Sequence, residues 1–252
     1  MMDKTPDKNI ISAIINGGAS VTVFPSISST NDYCRQNATN LKKPAIVIAR
    51  SQTDGRGRKG RSFYSPDGTG LYMSMLFEFA DYYELSLATP AAAVSVCRTI
   101  EKLSQVTPKI KWVNDVYVGD RKICGILTET VVGSGGEKYM IVGIGINVTT
   151  DIFPEEISSI AGAIGENVDL NTLAAQIYLD FSKAFDSGFD SIVAEYKMRL
   201  NMLGCRVTCT SADKCFEATA VDINERCELI VIADSGEKTT LNSGEISVKK
   251  VN

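Results

Sequence analysis

A glycine-rich, basic segment between two apolar runs limits how this chain can fold. Residues 55–61 read Gly-Arg-Gly-Arg-Lys-Gly-Arg and lie between the runs 45–50 and 71–77, which predict strands. Glycine permits positive φ and lets several backbone N–H groups turn towards one point, and arginine offers forked donors that match phosphate or carboxylate oxygens. The segment therefore predicts a loop that binds a small anionic ligand. A nucleic-acid-binding patch and a solvated loop tip remain alternatives at this stage.

The composition is that of an ordinary globular protein. The chain has 252 residues, 44% of them hydrophobic and 22% charged, with a formal net charge of −4. This length suffices for one large domain, or for one domain plus a small one. The acidic balance argues against a protein that coats nucleic acid. No apolar run approaches the roughly 20 residues that cross a bilayer, and the N-terminus lacks the apolar core of a signal peptide. We therefore expect a cytoplasmic protein with no membrane partner.

The absence of histidine and the abundance of cysteine restrict the chemistry. The sequence contains no histidine and seven cysteines. Ser-His-Asp and Cys-His mechanisms are excluded within the chain, so catalysis must rest on lysine, arginine, carboxylates, amides or a metal. Cys34, Cys97 and Cys124 have apolar neighbours and are expected in the core. The other four crowd the C-terminus without a CxxC pair, so strand packing is favoured over a zinc site: Cys205, Cys209, Cys215 and Cys227.

The pattern of apolar residues predicts two unequal domains. Up to residue 203 the chain alternates between helical and strand spacing, with helices expected at 86–104, 171–186 and 189–201 and strands at 109–118, 122–132 and 139–148. Residues 204–252 carry four or five short β-rich runs separated by polar turns, which is typical of a small barrel. The prediction is an α+β domain over 1–203 followed by a small β domain over 204–252.

Three further segments contain residues suited to ligand binding. Residues 109–115 combine lysines, the only tryptophan, an amide and a carboxylate, which indicates either a lysine that projects towards a ligand or a strand end with a polar turn. Residues 121–129 place a basic turn before a buried strand. Residues 143–147, Gly-Ile-Gly-Ile-Asn, interrupt a β-branched strand with two glycines. Because glycine weakens a strand, either something packs closely against the backbone there or the glycines form a bulge.

In this order, the motifs resemble those of the biotin protein ligases. That family carries a Ser-Thr-Asn near its start, a Gln-x-x-Gly-Arg-Gly-Arg-x-Gly loop, a Lys-Trp-Pro-Asn-Asp segment, a Gly-Ile-Leu-x-Glu strand and a Gly-x-Gly-Ile-Asn strand. Here they stand at residues 29–31, 52–60, 111–115, 125–129 and 143–147. Residues 243–247 are similar to the end of the family's small β domain, so the resemblance covers residues 26–250.

The chain departs from the family pattern at three places. Val113 replaces the proline of Lys-Trp-Pro-Asn-Asp, which can alter the turn but leaves Lys111 in place. Phe63 stands where many members have a tryptophan near the adenine. About 20 residues precede the catalytic region, too few for the winged-helix domain that lets some relatives act as repressors. The expectation is therefore an enzyme without DNA binding.

The resemblance implies a fold and an activity. The expected fold is a mixed β-sheet catalytic domain flanked by helices, of the biotin–lipoate ligase type related to class II synthetases, with a small C-terminal SH3-like barrel. The expected enzyme joins biotin to ATP as biotinyl-5′-adenylate, releases pyrophosphate, and transfers biotin to one lysine of a biotin carboxyl carrier protein, releasing AMP. ATP and biotin are then substrates, and Mg²⁺ is implied with ligands that the sequence does not identify. A homodimer through the catalytic sheet is a further expectation.

The resemblance also assigns roles to individual residues. Lys111 would bridge the carboxylate and the α-phosphate, and Arg58 would hold the phosphate and close over the adenylate. The residues expected to bind biotin are Ser29, Thr30, Asn31, Gln52, Gly55, Arg56, Gly57, Arg58, Lys111, Gly143 and Gly145. Those expected to bind the nucleotide are Arg56, Arg58, Phe63, Lys111, Asn147 and Lys249. Asp115 is a candidate Mg²⁺ ligand and a candidate base for the transfer step.

Two other functions stay open at this point. A lipoate–protein ligase shares the catalytic fold and the acyl-adenylate chemistry, although the Gly-Arg-Gly-Arg loop and the Lys-Trp-x-Asn-Asp segment favour biotin. A module that grips RNA or DNA phosphates would use the basic residues Arg50, Arg56, Arg58, Lys59 and Arg61. The acidic composition and the single aromatic pair beside the loop, Phe63-Tyr64, disfavour it.

Overall fold

A seven-stranded mixed sheet is the frame of the larger part of the molecule. The computed structural model describes residues 5–79, 82–165, 168–187, 190–210, 215–242 and 247–251. The strands of this sheet are β1 (Ser20–Phe24), β2 (Ala45–Ala49), β3 (Gly70–Glu78), β4 (Lys109–Lys111), β5 (Asp115–Val118), β6 (Arg121–Val132) and β7 (Lys138–Asn147). They lie in the order β1-β2-β3-β7-β6-β5-β4. Within it β1 and β2 pair in parallel, and the other neighbours pair antiparallel.

Helices cover both faces of this sheet. They are α1 (Lys8–Ile14), α2 (Thr30–Gln36), α3 (Tyr82–Leu103), α4 (Glu155–Ser158), α5 (Leu170–Ser187) and α6 (Asp190–Arg199). Successive strand residues point to opposite faces. In β2, Ile46 therefore joins the cluster that contains α3 and α5, while Val47 joins the cluster that contains Cys34 of α2. No helix in the described part of the chain is long and apolar enough to cross a lipid bilayer.

The single strand predicted over 109–118 is wrong, because the chain turns back after β4 and returns as β5. Asn114 stabilises the turn, since its Nδ2 donates to Asp115 Oδ1 at 3.0 Å and to the carbonyl oxygen of Ile126 at 3.0 Å. A short polar side chain that bonds nearby groups in this way competes with a continuous strand ladder. The turn places Lys111 and Asp115 opposite each other at the end of the hairpin.

The C-terminal part forms a five-stranded antiparallel sheet. Its strands are β8 (Arg206–Thr210), β9 (Cys215–Ile223), β10 (Leu229–Ile232), β11 (Lys238–Leu241) and β12 (Ser247–Lys250), and they lie in the order β11-β10-β9-β8-β12. The predicted fold class, an α+β domain with a small C-terminal β domain, is confirmed. The boundary between residues 203 and 204 stays a prediction, since apolar residues of both sheets belong to one hydrophobic cluster.

Specific contacts join the small sheet to the hairpin of β4 and β5. Trp112 Nε1 donates to the carbonyl oxygen of Cys227 at 2.8 Å. Tyr196 of α6 donates its hydroxyl to the carbonyl oxygen of Val113 at 2.9 Å. The turn that follows Lys111 is therefore held from two sides, by a helix of the large domain and by a turn of the small sheet.

Most cysteines are core residues with ordinary thiol chemistry. The buried ones are Cys34, Cys97, Cys124, Cys209 and Cys227. Burial raises the pKa of the Cys34 and Cys227 thiols to about 12, so both are protonated at neutral pH. Cys215, which was expected to pack within its strand, is exposed. Within the described ranges no group of three or more cysteine or acidic side chains could hold a metal ion.

Replacing Trp112 by phenylalanine should loosen the contact between the two sheets. The Trp112→Phe variant keeps an aromatic ring but loses the hydrogen bond to the Cys227 carbonyl, and leaving a buried acceptor unpaired costs about 1–3 kcal/mol. We expect the melting temperature to fall by about 2–4 °C for each kcal/mol lost. Thermal denaturation followed by circular dichroism measures this, with Tyr64→Phe at an exposed position as the control. An unchanged melting temperature for Trp112→Phe would contradict the expectation.

Candidate functional site

Two adjoining cavities lie between the glycine-rich loop, residues 51–69, and strands β6 and β7. The larger has a volume of about 250 Å³ and the smaller a volume of about 30 Å³. Four residues line both cavities: Arg56, Phe63, Gly125 and Leu127. These residues form a shared wall, so ligands that occupy the two cavities would meet there.

The smaller cavity brings together the N-terminal end of α2, the start of the loop and β7. Seven residues predicted to bind biotin line it: Ser29, Thr30, Asn31, Gln52, Arg56, Gly143 and Gly145. Gln52 Oε1 accepts from the backbone N–H of Thr30 at 2.9 Å and lies 3.1 Å from the Thr30 hydroxyl oxygen. Ser29 caps α2, because its hydroxyl accepts from the backbone N–H of Asp32 at 3.3 Å. The protein's own hydrogen bonds therefore hold the start of α2 against the start of the loop.

The glycines in and beneath the loop are required by close contacts. A Cβ atom at Gly143 would lie 2.1 Å from Asn31 Oδ1, and one at Gly145 would lie 2.5 Å from Cε1 of Phe63. At Gly55 it would lie 2.4 Å from the carbonyl oxygen of Phe63. The strand register runs unbroken through both glycines of β7, so they are not bulges. The predicted close approach to the strand is confirmed, and the neighbours are the protein's own side chains.

The glycine-rich loop closes on itself as a short hairpin. The backbone N–H of Gly57 donates to the carbonyl oxygen of Arg61 at 2.6 Å, and that of Phe63 donates to the carbonyl oxygen of Gly55 at 2.7 Å. Gly60 has a φ of +71° at the tip. The N–H groups of Gly57 and Phe63 thus face loop carbonyls and do not converge on one point. These two N–H groups are therefore not available to an anion.

Arg56 lies in a network of opposite charges beside the smaller cavity. Its Nη1 is 2.7 Å from Asp32 Oδ1, and its Nη2 is 3.2 Å from Glu129 Oε1. Arg35 pairs with both of these carboxylates, so two arginines offset two carboxylates. An arginine whose charge is already paired attracts an incoming anion less strongly than an arginine beside neutral groups.

The larger cavity carries an excess of positive charge. Its cationic lining residues are Arg56, Arg58, Lys59, Arg61, Lys111 and Lys122, and among the described residues its one carboxylate is Asp115. Arg58 Nη1 donates to Asn114 Oδ1 at 2.9 Å. Burial lowers the pKa of the Arg58 guanidinium, and the nearby Asp115 acts in the opposite direction. Lys111 lies with its Nζ 5.6 Å from the centre of the Tyr117 ring. This lining suits a polyanion.

Sequence analysis misses two contributors to the larger cavity. Lys122 Nζ lies 2.6 Å from Asp115 Oδ1, and the signal available in the sequence is only the basic turn before the Gly-Ile-Leu-x-Glu motif. The second contributor is an apolar side formed by Phe153, Ile157, Ile160 and Ala161. This segment is anchored to β6, because the backbone N–H of Lys122 donates to the carbonyl oxygen of Ile160 at 2.8 Å. Only three-dimensional pairing brings it to the site.

Asn147 at the end of β7 lines the larger cavity and carries an acceptor that has no partner among the described residues. Its Nδ2 donates to the carbonyl oxygen of Gly162 at 2.9 Å. Within the described structure its Oδ1 is buried without a hydrogen-bond partner. A buried acceptor left unpaired is costly unless a ligand donates to it. This geometry supports the predicted contact with a nucleotide.

Lys249 is the one predicted site residue whose side chain lies outside the described residues. Its backbone belongs to β12 and pairs with Thr208. The adjacent Val248 lines the larger cavity. Residues 243–246, which contain most of the C-terminal motif, also lie outside the described ranges. The contact between Lys249 and the triphosphate stays a prediction.

Comparison with known proteins identifies the family. The model of the biotin/lipoate A/B protein ligase family matches residues 23–147, and the model of the biotin protein ligase C-terminal domain matches residues 202–249. The bifunctional ligase/repressor BirA of Escherichia coli is 30% identical over 249 residues, which cover 92% of this chain and 75% of BirA. This chain belongs to the biotin protein ligase family. The family activity, ATP-dependent biotinylation through biotinyl-5′-adenylate, is the activity of this enzyme.

A solved structure and a further sequence relative agree with this assignment. The biotin protein ligase of Aquifex aeolicus in complex with biotin and ATP matches with a TM-score of 0.78 and 26% identity, covering 92% of this chain and 99% of that one. The biotin–[acetyl-CoA-carboxylase] ligase of Mycobacterium tuberculosis is 27% identical over 209 residues, which cover 76% of this chain and 75% of the relative. The predicted biotin–lipoate ligase fold is confirmed.

A methyl group at Gly145 should disturb this ligase through Phe63. In Gly145→Ala the added atom collides with the Phe63 ring. Because that ring lines both cavities, we expect the KM values for biotin and ATP to rise by at least about fivefold, the equivalent of overpacking by ~1 kcal/mol. In a Phe63→Ala background the same substitution should add little. Steady-state kinetics of the single and double variants measures this, and an equal effect in both backgrounds would show that the methyl clashes with a substrate instead.

Proposed function

We propose that biotin binds in the smaller cavity, that ATP binds in the larger one, and that the two react across the shared wall. The observation that carries this proposal is the difference in lining. The smaller cavity has neutral hydrogen-bonding groups on Thr30 and Gln52, which suit a ureido ring, and the larger has the cations that a triphosphate needs. Arg56 and Phe63 belong to both linings.

The part of the shared wall that the glycine-rich loop carries must move to admit biotin. A volume of about 30 Å³ has room for little more than a water molecule. Arg56 and Phe63 are carried by the glycine-rich loop, whereas the strand glycines on the opposite side belong to the sheet. We therefore propose that the loop opens to admit biotin and closes over the adenylate, which excludes the water that would hydrolyse an acyl-adenylate.

The first chemical step joins two anions. An oxygen of the biotin carboxylate attacks the α-phosphorus of ATP, and the bond to pyrophosphate breaks as the new O–P bond forms. Coulomb repulsion opposes this approach unless cations lie where negative charge develops. Lys111, Lys122 and Arg58 line the larger cavity. In our proposal Lys111 bridges the carboxylate and the α-phosphate, and Arg58 holds the phosphate.

The second step transfers biotin to a lysine amine. The amine attacks the carbonyl carbon of the adenylate, the bond to AMP breaks, and an amide forms with the loss of one proton. Asp115 is the described carboxylate that lines the cavity, so it is our candidate to accept that proton. The proposed acceptor is one lysine of a biotin carboxyl carrier protein. A cytoplasmic location, a homodimer and the absence of DNA binding stay predictions.

The side chains in the described ranges do not form a magnesium site of their own. The carboxylate of Asp115 is already paired with Lys122 at 2.6 Å, and no cluster of three acidic side chains occurs within the described ranges. Magnesium in ATP-using enzymes commonly binds the substrate phosphates and keeps several waters. We therefore assign Mg²⁺ no ligands and no step.

Replacing Lys111 by alanine should slow adenylate formation while leaving the fold intact. Loss of a cation placed at developing charge typically costs about 10²–10³-fold in rate. ATP–pyrophosphate exchange dependent on biotin measures the first step alone. Lys109→Ala is the matched control, because this exposed lysine of the same strand lines neither cavity. Normal exchange in Lys111→Ala would remove this lysine from the mechanism, and exchange driven by lipoate rather than biotin would change the substrate.

Replacing Arg58 by alanine should make the enzyme release its adenylate. The variant loses the guanidinium that is bonded to Asn114 above the larger cavity, so we expect adenylate dissociation about tenfold faster, the effect of losing one charge-assisted hydrogen bond. Biotin labelling of a bystander protein reads out the escape of the adenylate. Arg50→Ala is the control, because Arg50 pairs with Asp67 on the surface. Equal bystander labelling by Arg58→Ala and Arg50→Ala would contradict the role given to Arg58.

A further inference from the structure

Asn31 lies in the smaller cavity, yet its amide group is already committed to the protein. Its Nδ2 donates to Glu129 Oε2 at 2.9 Å and to the carbonyl oxygen of Leu127 at 3.4 Å, and its Oδ1 accepts from Ser74 Oγ at 2.6 Å. The residue is 4% exposed, and its amide lies against Gly143. A side-chain amide has two N–H hydrogens and two oxygen lone pairs. One lone pair is all that remains for a ligand.

Ser74 supports this amide from beneath. It is fully buried in β3, directly opposite Gly143 of β7. Its Oγ lies 2.8 Å from the Thr30 hydroxyl as well as 2.6 Å from Asn31 Oδ1. The Ser74 hydroxyl can donate or accept, so it is Glu129 that fixes the orientation of the amide: a flip by 180° would place the amide oxygen against the Glu129 carboxylate, and two oxygen acceptors facing each other repel.

Glu129 connects Asn31 to Arg56 of the glycine-rich loop. Its side chain is 16% exposed and lies within 3.3 Å of both Nη atoms of Arg56. Asn31 and Arg56 are joined through this carboxylate. A chain of hydrogen bonds thus runs from Ser74 in the sheet, through Asn31 and Glu129, to the glycine-rich loop.

We propose that Asn31 is a positioning residue and not a biotin ligand. It orients Glu129, and Glu129 holds Arg56 and the loop closed over the smaller cavity. This inference rests on the proposed function only in taking biotin as the ligand of that cavity. It reassigns the role that the family resemblance gives to Asn31, and it adds Ser74 and Glu129 to the residues on which biotin binding depends.

A double-mutant cycle separates positioning from direct contact. The four proteins are the unmodified enzyme, Asn31→Ala, Arg56→Gln and the double variant, and KM for biotin and kcat are measured by ATP–pyrophosphate exchange. We expect Asn31→Ala to raise KM for biotin about tenfold, the effect of one lost hydrogen bond to a charged group. In the Arg56→Gln background, Asn31→Ala should change KM for biotin by less than about twofold, because the guanidinium that Glu129 holds is already absent.

Two further variants separate the positioning effect from a general loss of protein stability. Ser74→Ala should raise KM for biotin in the same direction as Asn31→Ala, although Ser74 is fully buried. Ser95→Ala is the matched control, since Ser95 is another fully buried serine, bonded only within α3 to the carbonyl oxygen of Ala91. It should leave KM for biotin unchanged. Asn31→Ser takes the place of Asn31→Ala if the alanine variant does not fold.

The possible outcomes are distinct. An equal rise in KM for biotin in both backgrounds, or no rise in Asn31→Ala, overturns the positioning role while the proposed function stands. A failure of the unmodified enzyme to exchange pyrophosphate with biotin overturns the proposed function itself. If Asn31→Ala raises KM for biotin in the unmodified enzyme but not in the Arg56→Gln background, and Ser95→Ala is normal, the chain from Ser74 to Arg56 is supported.

Discussion

The site depends on a surface of the sheet that carries no side chains, formed by Gly125, Gly143 and Gly145. Gly125 of β6 pairs with Gly145 of β7, and Gly143 lies two residues further along the same strand. The missing Cβ atoms make room for the amide of Asn31 and the ring of Phe63, which lie 2.1 Å and 2.5 Å from where those atoms would stand. Any larger residue would lift α2 or the loop away from the sheet. The two cavities exist because these elements approach so closely.

Charge is distributed unequally over this glycine surface. On the side of the smaller cavity, Arg35 and Arg56 are offset by Asp32 and Glu129, so the local charge is balanced. On the side of the larger cavity the cations outnumber the one described carboxylate, Asp115. A neutral ring and a polyanion are therefore favoured on different sides of one wall. With biotin on one side and ATP on the other, the biotin carboxylate and the α-phosphate meet at the shared wall, where cations offset their negative charges.

The sequence alone predicts most of the site residues but few of their contacts. The family resemblance points to Thr30, Gln52 and Lys111 as candidates because each belongs to a short motif that is readable in the sequence. Ser74 and Lys122 escape notice, since a serine in an apolar strand and a lysine in a turn become informative only when strand register places them opposite Gly143 or Asp115. The glycines signal a close approach, but sequence cannot tell a ligand from a neighbouring side chain. The hairpin at 112–114 is missed because it depends on bonds from Asn114 to a distant strand.

A crystal structure with biotinyl-5′-adenylate tests the central claim most directly. The account predicts the ureido ring in the smaller cavity within hydrogen-bond distance of Thr30 or Gln52, and the phosphate in the larger cavity beside Arg58 and Lys111. It also predicts that Arg56 keeps its contacts with Asp32 and Glu129. A phosphate bound by Arg56 with those contacts broken, or a ligand that leaves one cavity empty, would contradict the account.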